Sequence, residues 1–89
     1  MSDERDITRG AQAERIIGHE LYVEGWTKVR EAILSQIEAS PVRDKEGREY
    51  LYLMLKALND ARRAMEQVMR DGKVAQHLQE QKRRFKVFG

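Results

Sequence analysis

The 89-residue chain contains no cysteine, one proline and two histidines. Without cysteine there are no disulfides and no thiolate metal sites, a composition that fits a reducing compartment. No run of 18 apolar residues is present, and the charged N-terminus lacks the apolar core of a signal peptide. We therefore expect a soluble protein without a membrane segment that stays where it is made.

Residues and motifs typical of catalysis are also missing. His19 and His77 lie 58 positions apart, and neither has a His or Glu four residues away, as an HExxH metal site requires. The glycines occur singly, so no phosphate-binding loop is indicated. We expect no catalytic residue, no metal and no cofactor, and we interpret both histidines as surface or capping residues.

Charged residues make up 36% of the chain, and the net charge is +2. Residues 1–40 contain five Lys or Arg against eight Asp or Glu, a net charge of −3, whereas residues 41–89 contain twelve against seven, a net charge of +5. Such an asymmetry favours association with an acidic partner or with a second copy of the chain.

Apolar residues recur at steps of three and four, which predicts an all-α protein. The predicted helices span residues 8–17, 20–39, 45–70 and 73–82. The second has one apolar stripe, formed by Tyr22, Trp26, Val29, Ile33 and Ile37.

The predicted third helix has the longest apolar pattern. Its stripe consists of Leu51, Leu55, Leu58, Met65 and Met69, flanked by Met54, Ala61 and Val68. Pro41 ends the preceding helix, and Asp44 is the expected N-cap. Gly72 after Asp71 is typical of a left-handed C-terminal stop, so we expect the helix to end there.

These elements predict an antiparallel helical hairpin with a short helix at each end. The flanking segments are a disordered arm at residues 1–7 and a basic aromatic tail at residues 82–89, with the helical domain at residues 8–81 between them. A chain this short buries only about 60% of the surface of its unfolded form, so we expect it to form a homo-oligomer or to bind a partner.

The tail is the predicted docking segment because it combines clustered cations with aromatic side chains. Its candidate partner-binding residues are Lys82, Arg83, Arg84, Phe85, Lys86 and Phe88. The alternative is a solubilising tail whose phenylalanines pack back on the third helix. Tyr52 is a further candidate contact, because it projects away from the predicted stripe beside Lys56.

A nucleic-acid-binding protein is the main alternative function, either a packaging accessory or a small regulator. In that case the tail and four further cations would contact phosphates. These cations are Arg62, Arg63, Arg70 and Lys73. An inhibitor of a host protein would have similar surface properties and is the third possibility.

Two segments resemble a group of small helical proteins encoded near the terminase, portal and head genes of tailed bacteriophages and prophages. They are AERIIGHEL and RDKEGREYLYLMLKALNDARRAMEQVMRDGKVA, and the resemblance covers about residues 11–76. Its most specific parts are EGRE at the start of the long helix and DGKVA after it. Gly18 and His19 stand where relatives often have an Asn-Asp-Pro turn.

The resemblance implies a phage structural or assembly protein that acts in the head or the head-to-tail region. Its location would be the bacterial host cytoplasm, with incorporation in the virion as a further stage. Its partners would be other phage proteins or further copies of itself. The group brings no active-site residues to carry over to this chain.

Overall fold

The computed structural model describes the backbone of residues 3–88 and the side chains of residues 3–85. It contains three helices, α1 (Asp3–Ile17), α2 (Glu20–Ala39) and α3 (Lys45–Phe88). The fold is 92% helix, and the described residues include no strand. The all-α prediction is confirmed.

Helix α1 begins earlier than predicted. Residues 3–7, expected to belong to a disordered arm, form its first turns. Asp3, Glu4 and Asp6 place negative charge at the positive end of the helix dipole, which stabilises this start. Ile7 is half-buried, so the segment also contributes an apolar contact. The prediction of an arm was therefore wrong for these residues; Met1 and Ser2 lie outside the described part.

Helix α3 continues through Asp71 and Gly72, so the predicted stop was wrong. No described glycine has a positive φ, and a left-handed cap is therefore absent there. The predicted helices at residues 45–70 and 73–82 are a single helix of 44 residues, which also includes most of the predicted tail. Gly72 is buried, and its role is packing, as described below.

Helix α2 spans the range that its sequence pattern predicts. His19 is its N-cap, and the Nδ1 atom accepts a hydrogen bond from the backbone N–H of Leu21 at 3.1 Å. At the other end, the Ser40 hydroxyl donates to the Ile37 carbonyl oxygen at 2.7 Å. Both ends thus satisfy backbone groups that the helix leaves without internal partners.

Between α2 and α3, a short loop is held by side chains from the start of α3. The Asp44 carboxylate accepts a hydrogen bond from the Gly47 N–H at 2.9 Å, which confirms the predicted N-cap. The Arg48 guanidinium donates to the carbonyl oxygens of Pro41 at 2.6 Å and Val42 at 3.0 Å. These bonds fix the chain at its only proline.

The chain forms two compact units. Unit 1 contains α1 and the part of α3 from Ala64 onward, and unit 2 contains residues 18–63.

In unit 1 the backbones of α1 and α3 are in direct contact at two glycines. A Cβ added to Gly10 would lie 2.8 Å from the Gly72 Cα, and one added to Gly72 would lie 2.8 Å from the carbonyl oxygen of Asp6. Ala13 and Ile17 of α1 and Ala75 of α3 are also buried in this unit. The small residues allow the two helices to approach closely.

Two ion pairs give the orientation of the helices in unit 1. Glu14 lies 3.7 Å from Lys73, and Asp3 lies 3.6 Å from Lys82. Since the earlier residue of α1 pairs with the later residue of α3, the two helices are antiparallel.

Unit 2 has a small core. Ile33 is the only described side chain of residues 18–63 that is buried. Trp26 is half-buried, and its indole N–H donates to the Leu58 carbonyl oxygen at 3.5 Å. Val29, which belongs to the same predicted stripe, is 50% exposed. The predicted apolar stripe of α2 is therefore only partly buried.

Candidate functional site

The candidate docking segment lies on the last described turns of α3. Lys82 pairs with Asp3, whereas Arg83 and Arg84 are exposed and Phe85 is 78% exposed. The side chains of Lys86 and Phe88 lie outside the described residues. The segment is thus helical, where a separate tail was predicted, and the alternative of a packed phenylalanine is wrong for Phe85.

Two further apolar side chains of α3 share the orientation of Phe85. Val74 is 59% exposed and Leu78 is 46% exposed. They precede Phe85 by eleven and seven residues, which places all three on one side of a 3.6-residue helix. An exposed apolar stripe therefore runs beside the cations of the candidate docking segment.

A shallow surface groove lies where α1 meets the docking segment. It is lined by Glu4, Gln79, Lys82 and Arg83. The groove presents side chains of both signs of charge. This lining suits exposed polar contacts with a protein surface.

Tyr52 is 63% exposed and lies in unit 2. It borders a second shallow groove, whose other lining residues are Leu55, Lys56, Asn59, Asp60 and Arg63. The aromatic ring is accessible beside charges of both signs, as expected from its position off the predicted stripe.

Each of the four cations assigned to the nucleic-acid alternative has a contact within the protein. The Arg62 guanidinium lies 4.7 Å from the centre of the Trp26 ring. Arg63 pairs with Asp60 at 3.5 Å, and Lys73 pairs with Glu14. Arg70 donates to the side-chain oxygen of Gln67 at 3.0 Å. Arg62 and Arg63 belong to unit 2, whereas Arg70 and Lys73 belong to unit 1.

An exposed apolar surface at the start of α3 was not predicted as a site, although Met54 and Ala61 were placed beside the predicted stripe. Tyr50, Leu53 and Met54 are 67%, 55% and 42% exposed, and Ala57 and Ala61 are exposed as well. Their spacing was the available signal. This spacing did not lead to the prediction of a second apolar face, because Leu51, Leu55 and Leu58 define a stronger stripe on a neighbouring side of the same helix.

Within residues 3–85, no three His, Asp or Glu side chains are grouped as metal ligands.

Among the helices described, none combines the length and the apolar character needed to cross a membrane.

Comparison of the chain with protein-family models, with curated proteins and with solved structures gives no match.

Proposed function

We propose that the chain is a non-enzymatic structural or assembly protein of a tailed bacteriophage. In this proposal it forms homo-oligomers and binds other phage proteins in the head or the head-to-tail region. It acts in the bacterial host cytoplasm and is then incorporated in the virion. The resemblance of residues 11–76 to small phage proteins supports this assignment.

The observation that carries the proposal is the exposure of Phe85 beside Arg83 and Arg84. Phe85 is 78% exposed, so a partner that buries its ring removes a large apolar surface from water. This burial contributes favourable free energy to binding. The adjacent cations favour an acidic rim around the apolar site of that partner. Together they describe an anchor residue with charged neighbours, which is a common form of protein-protein contact.

The fold proposed for this function is a hairpin of α2 and α3. The contact between Trp26 and Leu58 supports it, because the two residues are equally far from the loop at residue 42. The contact between Trp26 and Arg62, one turn further along α3, supports it too.

Truncation after Gln81 tests the docking role. The shortened chain should fail to enter phage particles, while its helical circular dichroism per residue stays close to that of the full chain. Phe85→Ala should also reduce incorporation into phage particles. Leu21→Ala is the matched control, because Leu21 is 71% exposed on a different helix. Normal incorporation of the truncated chain would contradict the proposal.

Nucleic-acid binding is the second candidate, favoured by one further feature of unit 1. Arg70, Lys73 and Arg84 are exposed and fall on one side of α3. Binding through phosphates must weaken steeply between about 50 and 200 mM salt because counterions are released. Fluorescence anisotropy with a labelled DNA duplex measures this dependence, and absence of binding at low salt would exclude this candidate.

A further inference from the structure

The exposed apolar surface of unit 2 forms a continuous face on α3. At 3.6 residues per turn, its members fall within an arc of about 100°. We call it the α3 apolar face, and it consists of Tyr50, Leu53, Met54, Ala57 and Ala61. Exposed apolar surfaces of this kind commonly mark sites of protein association.

Helix α2 does not cover this face. It packs on the neighbouring side of α3, where Leu51, Leu55 and Leu58 are half-buried. Unit 2 accordingly has Ile33 as its only buried side chain among its described residues. The unit thus retains an apolar surface that a further helix can bury.

We infer that the α3 apolar face binds the same face of a second copy of the chain, with the two α3 helices antiparallel. The size of the side chains supports this occupant. Tyr50, Leu53 and Met54 are large and lie toward the N-terminal end of the face, whereas Ala57 and Ala61 are small and lie toward its C-terminal end. The face is therefore complementary to itself when reversed.

A two-fold axis between residues 55 and 56 gives the pairing. Tyr50 then packs on Ala61 of the partner subunit, and Met54 packs on Ala57 of the partner subunit. The same two contacts recur by symmetry, as in any isologous dimer. Tyr50 and Met54 each meet an alanine, so the two helices can approach closely at these positions.

Charge complementarity supports the same orientation. Glu49 lies beside one end of the face, and Arg63 lies on the same flank at the other end. Antiparallel pairing brings Glu49 toward Arg63 of the partner subunit. In each chain Arg63 lies 3.5 Å from Asp60, so it would be shared between two carboxylates. A parallel pair would keep Glu49 and Arg63 at opposite ends of the interface, so this contact could not form.

The chain already contains an antiparallel contact of this type. In unit 1, α1 packs on Gly72 and Ala75 of α3 and runs in the opposite direction. Steps of three or four residues connect Ala61 with Gly72 through Ala64 and Val68. The stripe that α1 covers in unit 1 therefore continues, in sequence, into the α3 apolar face.

Sedimentation equilibrium of the full chain over a range of concentrations tests the inference. The wild-type chain should be a dimer, and Tyr50→Glu should raise its dissociation constant at least about tenfold, because symmetry buries two unpaired carboxylates. Leu21→Glu is the matched control, since Leu21 is 71% exposed against 67% for Tyr50 but lies on α2, away from the α3 apolar face. It should leave the constant within about twofold.

Circular dichroism should show that both variants remain helical. A wild-type chain that is monomeric at every concentration would overturn the inference. So would a dimer that the two substitutions weaken equally.

Cysteine cross-linking tests the orientation, since the natural chain contains no cysteine. A mixture of Tyr50→Cys and Ala61→Cys chains should form a disulfide between the two species under mild oxidation. Disulfides that form mainly within each species would overturn the antiparallel arrangement, because a parallel pair places identical residues together.

The proposed dimer rests on the part of the proposed function that has the chain form homo-oligomers. The dimer and the phage-assembly role can nevertheless be contradicted separately. A monomeric chain that still enters phage particles through its C-terminal segment would contradict the dimer alone. A dimeric chain that never enters particles would contradict the proposed function alone.

Discussion

Single residues explain why α1 and α3 can pack with their backbones in contact. Gly10 and Gly72 face each other, and neither has space for a Cβ, because the nearest atoms belong to backbone that cannot move aside alone. Gly25 is also in a helix but has no atom within 4 Å of the corresponding position. Glycine is therefore required by close packing at positions 10 and 72, whereas a larger residue fits at position 25.

Gly72→Ala should lower the free energy of unfolding by about 1–3 kcal/mol, as overpacking in a well-packed site does. Gly25→Ala is the control and should raise it by about 0.5–1 kcal/mol, because alanine is the better helix former. Urea unfolding followed by circular dichroism measures both. A stabilising Gly72→Ala substitution would show that the two helices are not in backbone contact.

Asp44 caps the N-terminus of α3. Asp44→Ala should lower the free energy of unfolding by about 1 kcal/mol, because the N-cap bond to the Gly47 N–H is lost. Asp44→Asn keeps a side-chain oxygen and should lose far less. The expectation fails if the two substitutions have the same effect in urea unfolding.

Gly47 is linked to the same cap. A Cβ at this position would collide with the Asp44 carboxylate. The carboxylate is the far end of a flexible side chain and can shift, so the cap does not require glycine at position 47.

At the scale of elements, the contact between α2 and α3 centres on Trp26. Arg62 lies over its ring at 4.7 Å, and Arg30 lies at 6.0 Å. Cation–π attraction is strong at the first distance and weak at the second. The coupling free energies of Trp26 with Arg62 and with Arg30 should therefore differ.

A double-mutant cycle of Trp26→Leu and Arg62→Met should give a coupling free energy of about 0.5–1 kcal/mol. The matched cycle with Arg30→Met should give a smaller coupling. Thermal or urea unfolding of the four proteins in each cycle provides the values. A larger coupling for Arg30 would contradict the described packing of the indole.

The sequence pattern predicted α2 well because its signals are local. Pro41 and Ser40 end the helix by their own conformational preferences, and His19 begins it. The continuation of α3 could not be predicted in the same way. Asp71-Gly72 has the local form of a helix stop, and only the contact with α1, 62 residues earlier at Gly10, gives the glycine a different role.

At the scale of the whole molecule, the acidic first half and the basic second half of the chain meet partly within unit 1. Glu14 pairs with Lys73, and Asp3 pairs with Lys82. The charge asymmetry seen in the sequence was predicted to favour association with other molecules. The structure shows that part of it is used inside the chain.

These ion pairs should contribute little to stability, since their side chains are 36–73% exposed. Raising sodium chloride from about 50 to 500 mM should therefore change the free energy of unfolding by less than about 1 kcal/mol. Urea unfolding at the two salt concentrations measures this change. A much larger loss of stability would show that the charges are the main link between α1 and α3.

The candidate site could be predicted only in part. Arg83, Arg84 and Phe85 were predicted as contacts from composition alone, because clustered cations beside an aromatic residue can be recognised without the fold, and the structure shows that all three are exposed. Tyr50 and its face could not be found in this way. Whether an apolar residue of α3 is covered depends on where α2 packs, and that depends on side-chain contacts far apart in sequence.

The unbroken course of α3 also sets the direction in which Phe85 points. From Gly72 to Phe85 the helix rises about 20 Å, and each residue in between turns the aromatic ring by about 100° around the axis. In the proposed docking role, contacts at this end of the chain would depend on the number of residues in the helix as well as on their type. One alanine inserted after Ala75 would rotate the Phe85 ring by about 100° around the helix axis, whereas seven alanines would return it to within about 20° of its original direction.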